Sequence, residues 1–275
     1  MITRAESSGF CFGVKNAILK ATEEPIRQRC VIGSLAHNQK VIERVKNCGI
    51  EFLEEPDSSF DEIVVSAHGI RKEFLEKLKG KRVIDATCKR VQKIIDIASE
   101  TKENDVLLMV GDSNHSEVKN ATSYAKKHYI ANKRCLQKEV ICEILEKNFS
   151  RIFVVFQTTV SKDIFEEYVE YFAKLNDNRV EVFNTICPSV QKRIDESVKI
   201  AKDSELMIVV GDKMSANCNL LFEECKRVNP NTIFLSSSSD LPKEFPEKIG
   251  ITAGASTDPS DVDEIVATIE KMLNK

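Results

Sequence analysis

The sequence predicts an α/β protein of three similar small parallel-sheet domains, set in a pseudo-threefold ring. Three observations carry this. Short β-branched apolar runs alternate with amphipathic stretches along the whole chain. A cysteine recurs at one point in each third: Cys11 in GFCFGVK, Cys88 in ATCKRVQK and Cys187 in TICPSVQK. Each cysteine is followed 22, 23 or 24 residues later by a glycine that closes an apolar run, Gly33, Gly111 and Gly211.

The first third, residues 1–88, reads as strands near 31–34, 51–54, 63–67 and 82–86, with helices near 13–29, 37–48 and 71–79. The second, residues 89–186, reads as strands near 106–110, 128–131, 152–156 and 180–185. The third, residues 187–275, has strands near 206–210, 232–235 and 249–252 and a final helix near 261–274. Strands that alternate with helices imply parallel sheets with right-handed crossovers. The third repeat lacks the strand that VIDAT and VEVFNT supply to the others, and a spare strand opens the chain at residues 1–6. That strand is expected to complete the third sheet. The polar stretch SSSSD at 236–240 reads as a surface loop.

Length allows one to three domains, and 42% apolar content is enough for real cores. A net charge of −3 argues against a general nucleic-acid binder. The opening MITRAESSGF has no apolar h-region, and the longest apolar runs, IFVVF and VLLMV, fall far short of a membrane span. A cytoplasmic protein without membrane or nucleic-acid partners is expected. Nine cysteines in that setting read as thiols or metal ligands, not as a disulfide frame.

Cys30, Cys48, Cys135, Cys142 and Cys225 have no repeat partner and read as small buried hydrophobes. Cys218 follows Asn217 closely enough to touch a site there. Cys11, Cys88 and Cys187 differ, because a threefold repeat brings equivalent positions together. Three thiolates on such an axis can hold an iron–sulfur cluster and leave one iron open as a Lewis acid. Four residues past the glycines stand His37, His115 and Ser215, and the next apolar run in each third delivers His68, the pair Thr158 and Thr159, and Ser256. Each follows a strand and precedes a helix, where ligands of parallel sheets bind and where helix N-termini suit an anion. Three of the four histidines fall on this pattern and can donate to phosphate oxygens. The fourth, His128, reads as a partly exposed residue near a helix end or strand start. Glu117, two residues past His115, reads as a helix-start carboxylate or as a proton relay at the mouth of the cluster.

The motifs GFCFGV, AHN, SAHG, DATC, NHSEV, QTT, NTIC, SAN with the following CN, and TAGAST together resemble the 4-hydroxy-3-methylbut-2-enyl diphosphate reductase family, over essentially the whole chain. The resemblance implies one [4Fe–4S] cluster per chain on Cys11, Cys88 and Cys187. It implies an allylic diphosphate substrate held by His37, His68, His115, Thr158, Ser215, Ala216, Asn217 and Ser256, with His115 also near the reacting hydroxyl. Glu117 is implied as proton source and Thr158 as the residue that orders the relay to the substrate hydroxyl. A small ferredoxin or flavodoxin is implied as electron donor. The chain departs from the family at Ala216, a serine in the usual Ser-Ser-Asn cradle, at Lys89 and Ser116, where proline is usual, and in PSVQK after Cys187. Two other readings use the same three cysteines: a hydro-lyase that dehydrates at an open iron without net reduction, and a non-enzymatic redox sensor.

Overall fold

The apolar runs form short parallel strands joined by long crossover connections, most of which carry a helix. The computed structural model describes residues 1–25, 27–36 and 38–274. The first third holds β1 (Ile2–Arg4), α1 (Phe12–Thr22), β2 (Arg29–Ile32), α2 (Gln39–Lys46), β3 (Glu51–Leu53), β4 (Glu62–Val65) and β5 (Arg82–Asp85). The second holds α3 (Lys89–Ser99), β6 (Asp105–Val110), α4 (Ser116–Thr122), β7 (His128–Ala131), α5 (Lys138–Leu145), β8 (Arg151–Phe156), α6 (Lys162–Leu175) and β9 (Val180–Val182). The third holds α7 (Pro188–Asp203), β10 (Leu206–Val210), α8 (Ala216–Val228), β11 (Thr232–Leu235), β12 (Ile249–Ala253) and α9 (Pro259–Leu273).

These strands form three four-stranded parallel sheets, ordered β3-β2-β4-β5, β7-β6-β8-β9 and β11-β10-β12-β1. The three orders correspond strand for strand, with β1 in the place that β5 and β9 hold in the others. Ile2, Thr3 and Arg4 pair with Ile249, Gly250 and Ile251.

The chain separates into two compact units: residues 1–15, 36–45 and 188–275 in one, residues 16–35 and 46–187 in the other. The first unit carries the sheet that β1 completes. Residues 36–45 belong to it through ion pairs from α2 to the start of α9. Lys40 Nζ lies 2.7 Å from Asp261 and Arg44 Nη1 lies 2.6 Å from Asp258, the N-cap residue of α9. Apolar packing of β10 and β12 against Val262, Ile265 and Ile269 of α9 forms the core of this unit.

In the second unit the β6 run DVLLMV is buried along its length, as a central parallel strand requires. Its period of two sends Leu107 and Met109 to one face with Phe153, Val155 and Ile94. Leu108 and Val110 go to the other, with Val154, Phe156, Ile141 and Tyr168. Helices therefore cover both faces.

Three elements are shorter than the sequence suggests. The helix expected over 13–29 ends at Thr22. Pro25 cannot continue it, and the buried Arg29 guanidinium takes up the chain end, donating to the carbonyls of Ala21 and Glu23 at 2.7 Å each. Arg29 is itself held by Glu62, with Nε 2.8 Å from Oε2. Burial would raise the Glu62 pKa, but Arg29 and Arg82 together hold it below the usual carboxylate range. The helix expected over 71–79 is two separate 3₁₀ turns, Lys72–Phe74 and Glu76–Leu78. The strand expected over 180–185 stops at Val182, because the Thr185 hydroxyl replaces the ladder, accepting from Phe156 N at 2.8 Å and donating to its carbonyl at 2.7 Å. Cys48, Cys135 and Cys142 are exposed, contrary to the buried reading, whereas Cys30 and Cys225 are fully buried. Burial pushes the Cys30 thiol up to about 11 and that of Cys225 to about 12. His128, exposed, opens β7.

Candidate active site

All three repeat cysteines sit at one structural address. Each is followed at once by the first residue of a helix, Phe12, Lys89 or Pro188. The amide of each donates to a loop carbonyl at a strand end: Cys11 to Ala255, Cys88 to Ala67 and Cys187 to Thr158, each at 3.0 Å. The repeat glycines match too, with Gly33, Gly111 and Gly211 donating to Leu53, Ala131 and Leu235 at 2.8, 2.8 and 2.9 Å. These equivalences pair His68 with Thr159 and Ser256, and Glu117 with Asn217. Thr158 is the counterpart of Ala67 and Ala255.

In the unit of residues 16–35 and 46–187, Glu117 is 2% exposed. Its Oε1 accepts from Thr158 N and its Oε2 from Thr158 Oγ1, both at 2.7 Å. Burial raises its pKa; the Thr158 amide and hydroxyl and the Lys133 charge oppose this without overcoming it. His115 is the N-cap residue of α4, and its Nδ1 accepts from Glu117 N at 3.2 Å. In the neutral ring that leaves Nε2 as the donor. The His68 ring stands edge-on to His115, centroids 5.3 Å apart. Asn120, one turn along α4, donates to the carbonyls of His68 and Gly69 at 3.0 and 2.9 Å. Gly69 has φ +75°, and a Cβ there would lie 2.9 Å from Ile95 Cδ1. One short helix thus holds a histidine, a carboxylic acid and the turn that presents a second histidine.

The opposite wall of this unit is fixed by Gln157, fully buried, whose Oε1 accepts from Asp112 N at 3.0 Å. Asp112 in turn accepts from His115 N at 3.0 Å. Gln157 opens the QTT motif and Asn120 lies two residues past NHSEV, but nothing in the sequence distinguished these two from solvated polar residues.

In the unit of residues 1–15, 36–45 and 188–275, Ser215 is the N-cap residue of α8 and its Oγ accepts from Cys218 N at 3.4 Å. The Ser256 hydroxyl donates to Ser215 Oγ at 3.0 Å. Both serines and Asn217 are buried. They line the start of a 13-residue helix, whose free amides favour an anion. Half-buried Ala216 opens that helix without a hydroxyl. The Cys218 thiol lies beneath, 3.9 Å from Ser256 Oγ. Cys11 is half-buried, and Phe12 beside it is 80% exposed. His37, expected as a further anion contact, lies outside the described residues.

Among the described residues no group of three or more His, Cys, Asp or Glu side chains is placed to hold a metal ion. The donor chemistry nevertheless fits an iron–sulfur cluster. Cys11, Cys88 and Cys187 are in no disulfide and none is fully buried, and they stand at equivalent helix starts that favour a negative group. No described helix is long and apolar enough to cross a membrane.

Comparison with known proteins gives one answer. The model of the LytB protein family matches residues 2–270. A 4-hydroxy-3-methylbut-2-enyl diphosphate reductase of Campylobacter lari is 38% identical, over 98% of each chain. The enzyme of that name from Aquifex aeolicus is 32% identical, over 98% of this chain and 95% of its own. Among solved structures, one of (E)-4-hydroxy-3-methyl-but-2-enyl diphosphate reductase, the terminal enzyme of the non-mevalonate pathway, is 33% identical with a TM-score of 0.71, covering 98% of this chain and 99% of its own. A Plasmodium falciparum reductase structure reaches a TM-score of 0.84 at 26% identity, covering 97% of this chain and 87% of its own.

Proposed function

The chain belongs to the LytB protein family, and from that premise we propose that it is an oxidoreductase that converts (E)-4-hydroxy-3-methylbut-2-enyl diphosphate to isopentenyl and dimethylallyl diphosphate. In this reaction the carbon–oxygen bond to the terminal hydroxyl breaks, the oxygen leaves as water, and two electrons and two protons enter. Cys11, Cys88 and Cys187 hold one [4Fe–4S] cluster per chain, which when bound supplies one-electron steps and a Lewis-acidic iron. The electrons come from a small carrier of the ferredoxin or flavodoxin type, in the cytoplasm.

The remaining work falls to the chain's own side chains. His68, His115, Ser215, Asn217, Ser256 and His37 bind the diphosphate, aided by the amides at the start of α8. Glu117 holds the proton that accompanies the departing hydroxyl. Thr158, whose Oγ1 lies 2.7 Å from Glu117 Oε2, hands it on by rotating its hydroxyl. Asn120 and Gln157 keep the two histidines and the acid in register. The observation that carries the reading is the buried Glu117–Thr158 pair, a carboxyl whose pKa burial raises, within the family's own motif.

The deciding experiment uses protein purified without oxygen. A cluster signal in electron paramagnetic resonance that shifts on adding the allylic diphosphate, with isoprenoid diphosphates formed only when reductant is present, is the expected result. Product formed without reductant would mean a hydro-lyase, and a cluster indifferent to substrate would mean a sensor.

Ala216 gives a narrower prediction. The missing hydroxyl removes one hydrogen bond to a charged group, worth about 1.5–3 kcal/mol, while the amide at that position still donates. Ala216→Ser should therefore lower KM about tenfold or somewhat more with little change in kcat. Steady-state kinetics decide it, and a large kcat change at constant KM would place Ala216 in the chemistry instead.

A further inference from the structure

One face of α7 makes a buried polar arrangement that none of the roles above uses. Arg193, 5% exposed, donates from Nη1 to Ala253 O at 2.6 Å and from Nη2 to Gly9 O at 2.9 Å. One turn on, Glu196 accepts from the Glu6 amide at 2.6 Å through Oε1. Its Oε2 accepts from the Ser7 amide at 3.1 Å and from the Ser7 hydroxyl. Beside it the Ser197 hydroxyl shares a hydrogen bond with Thr252 Oγ1 at 2.7 Å, both side chains fully buried. The spacings 193, 196 and 197 put all three on one helix face.

The partners just named belong to two backbone segments in the same unit. One is residues 6–9, which run into Cys11. The other is residues 252–253, which run into Ser256. The two segments also meet directly, where Cys11 N donates to Ala255 O at 3.0 Å. Gly9 has φ +95°, and a Cβ there would lie 3.0 Å from Pro259 Cγ, so the turn that offers its carbonyl to Arg193 needs glycine. An arginine suits the junction because its planar fork reaches two carbonyls at once, where a lysine offers a single point charge. Burying that charge is costly unless acceptors surround it. Two carbonyls do so here, and the Glu196 carboxylate lies near. Burial would raise the Glu196 pKa, but the Ser7 hydroxyl, the amides of Glu6 and Ser7 and the Arg193 charge hold it below the usual range.

We propose that Arg193 is a positioning residue that locks the Cys11 loop to the Ser256 loop, so that a cluster thiol and an anion-binding hydroxyl are held as one piece, with Glu196 clamping the near end of the same loop. The roles of Cys11 and Ser256 rest on the function proposed above; the lock itself is a property of the chain.

The test therefore reads the lock without the cluster. Full-length cluster-free protein is treated anaerobically with iodoacetamide, and alkylation of Cys11, Cys88 and Cys187 is followed in the same sample by mass spectrometry. Arg193→Met should raise the Cys11 rate about tenfold or more, since loop opening loses two charge-assisted hydrogen bonds. Cys88 and Cys187 serve as internal controls and should stay within about twofold of their own wild-type rates. Arg193→Lys, which can restore one of the two bonds, should fall between. Glu196→Gln keeps the side-chain shape and one acceptor oxygen, and should raise the Cys11 rate by a smaller factor even if Arg193→Met fails to fold. In cluster-loaded protein the folded Arg193 variants should also raise KM for the diphosphate and shift the paramagnetic signal. An unchanged Cys11 rate in a folded variant, or equal acceleration of all three cysteines, would overturn the lock. A selective Cys11 effect in a protein that then proves inactive on the diphosphate would uphold the lock and reject the function.

Discussion

Replacing Glu117 with Gln is expected to lower kcat by about 10²–10⁴-fold while leaving KM within a few-fold of wild type. The substitution is close to isosteric. The amide oxygen can still accept from Thr158 N, and the Thr158 hydroxyl, now donor at 2.7 Å to Oε2, can turn to accept from the new NH₂. What disappears is the proton that must leave with the hydroxyl. The pH profile gives the sharper test. Burial raises the Glu117 pKa above its ordinary value, so the wild-type rate should fall as pH climbs through that raised value, and the variant should lose this limb. Stability carries the same sign. The folded state binds the extra proton between the ordinary and the raised pKa, so the Glu117 contribution is fully present below the ordinary value and is lost as pH rises through the folded one. Thermal unfolding of wild type against Glu117→Gln over that range measures it. A variant with normal kcat, or a wild-type rate that rises across the window, would remove Glu117 from the proton path.

The repeat was readable because it is written in residues that a turn or a thiol site requires. The cysteine and glycine spacings identified the equivalent positions, and the structure returns them with matching amide-to-carbonyl distances. The third sheet's missing strand could be inferred from β1 for the same reason. The repeat alone could not decide between Thr158 and Thr159, since both hydroxyls follow the same strand, and only the family resemblance favoured Thr158. In the structure the pairing of Cys187 N with Thr158 O makes Thr159 the repeat counterpart of His68 and Ser256, and the Thr158 hydroxyl donates to Glu117. Asn120, Gln157 and Arg193 escaped because their partners are backbone groups distant in sequence, and a backbone carbonyl leaves no mark on composition or period. The exposed Cys48, Cys135 and Cys142 show the converse failure: a residue type that is usually buried is a poor guide where a loop or the outer face of a helix presents it. The helix expected over 13–29 failed at Pro25, whose effect on the chain before it outweighs the apolar period.

Gly254→Ala is expected to destabilise the protein by about 1–3 kcal/mol or more and to raise KM, although Gly254 contacts no substrate group. A Cβ at this position would stand 1.9 Å from Cys218 Sγ and 3.2 Å from Cys218 Cβ. The sulfur has no retreat, for a Cβ at Gly211 would lie only 2.5 Å from the same atom, and Ser256 Oγ and Thr257 Oγ1 stand 3.9 and 4.0 Å away. One thiol fills the space that two glycines leave, beneath the Ser215–Ser256 hydrogen bond of 3.0 Å. Pushing it aside moves α8 or the 254–257 turn, and with either the Ser215 and Ser256 hydroxyls proposed to bind the diphosphate. At this size each kcal/mol is worth about 2–4 °C in Tm, so calorimetry resolves the effect. Cys218→Ala alone should cost about 1 kcal/mol through the void it leaves. Placed on the Gly254→Ala background it should restore stability, because the atom in conflict is gone and the contacts left to residue 218 are 3.2 Å to Cβ and 3.4 Å to Cα. The coupling between the two substitutions, measured as a double-mutant cycle, is the decisive quantity. If the double variant is no more stable than Gly254→Ala alone, the strain lies in the backbone, and the thiol is not what requires glycine there.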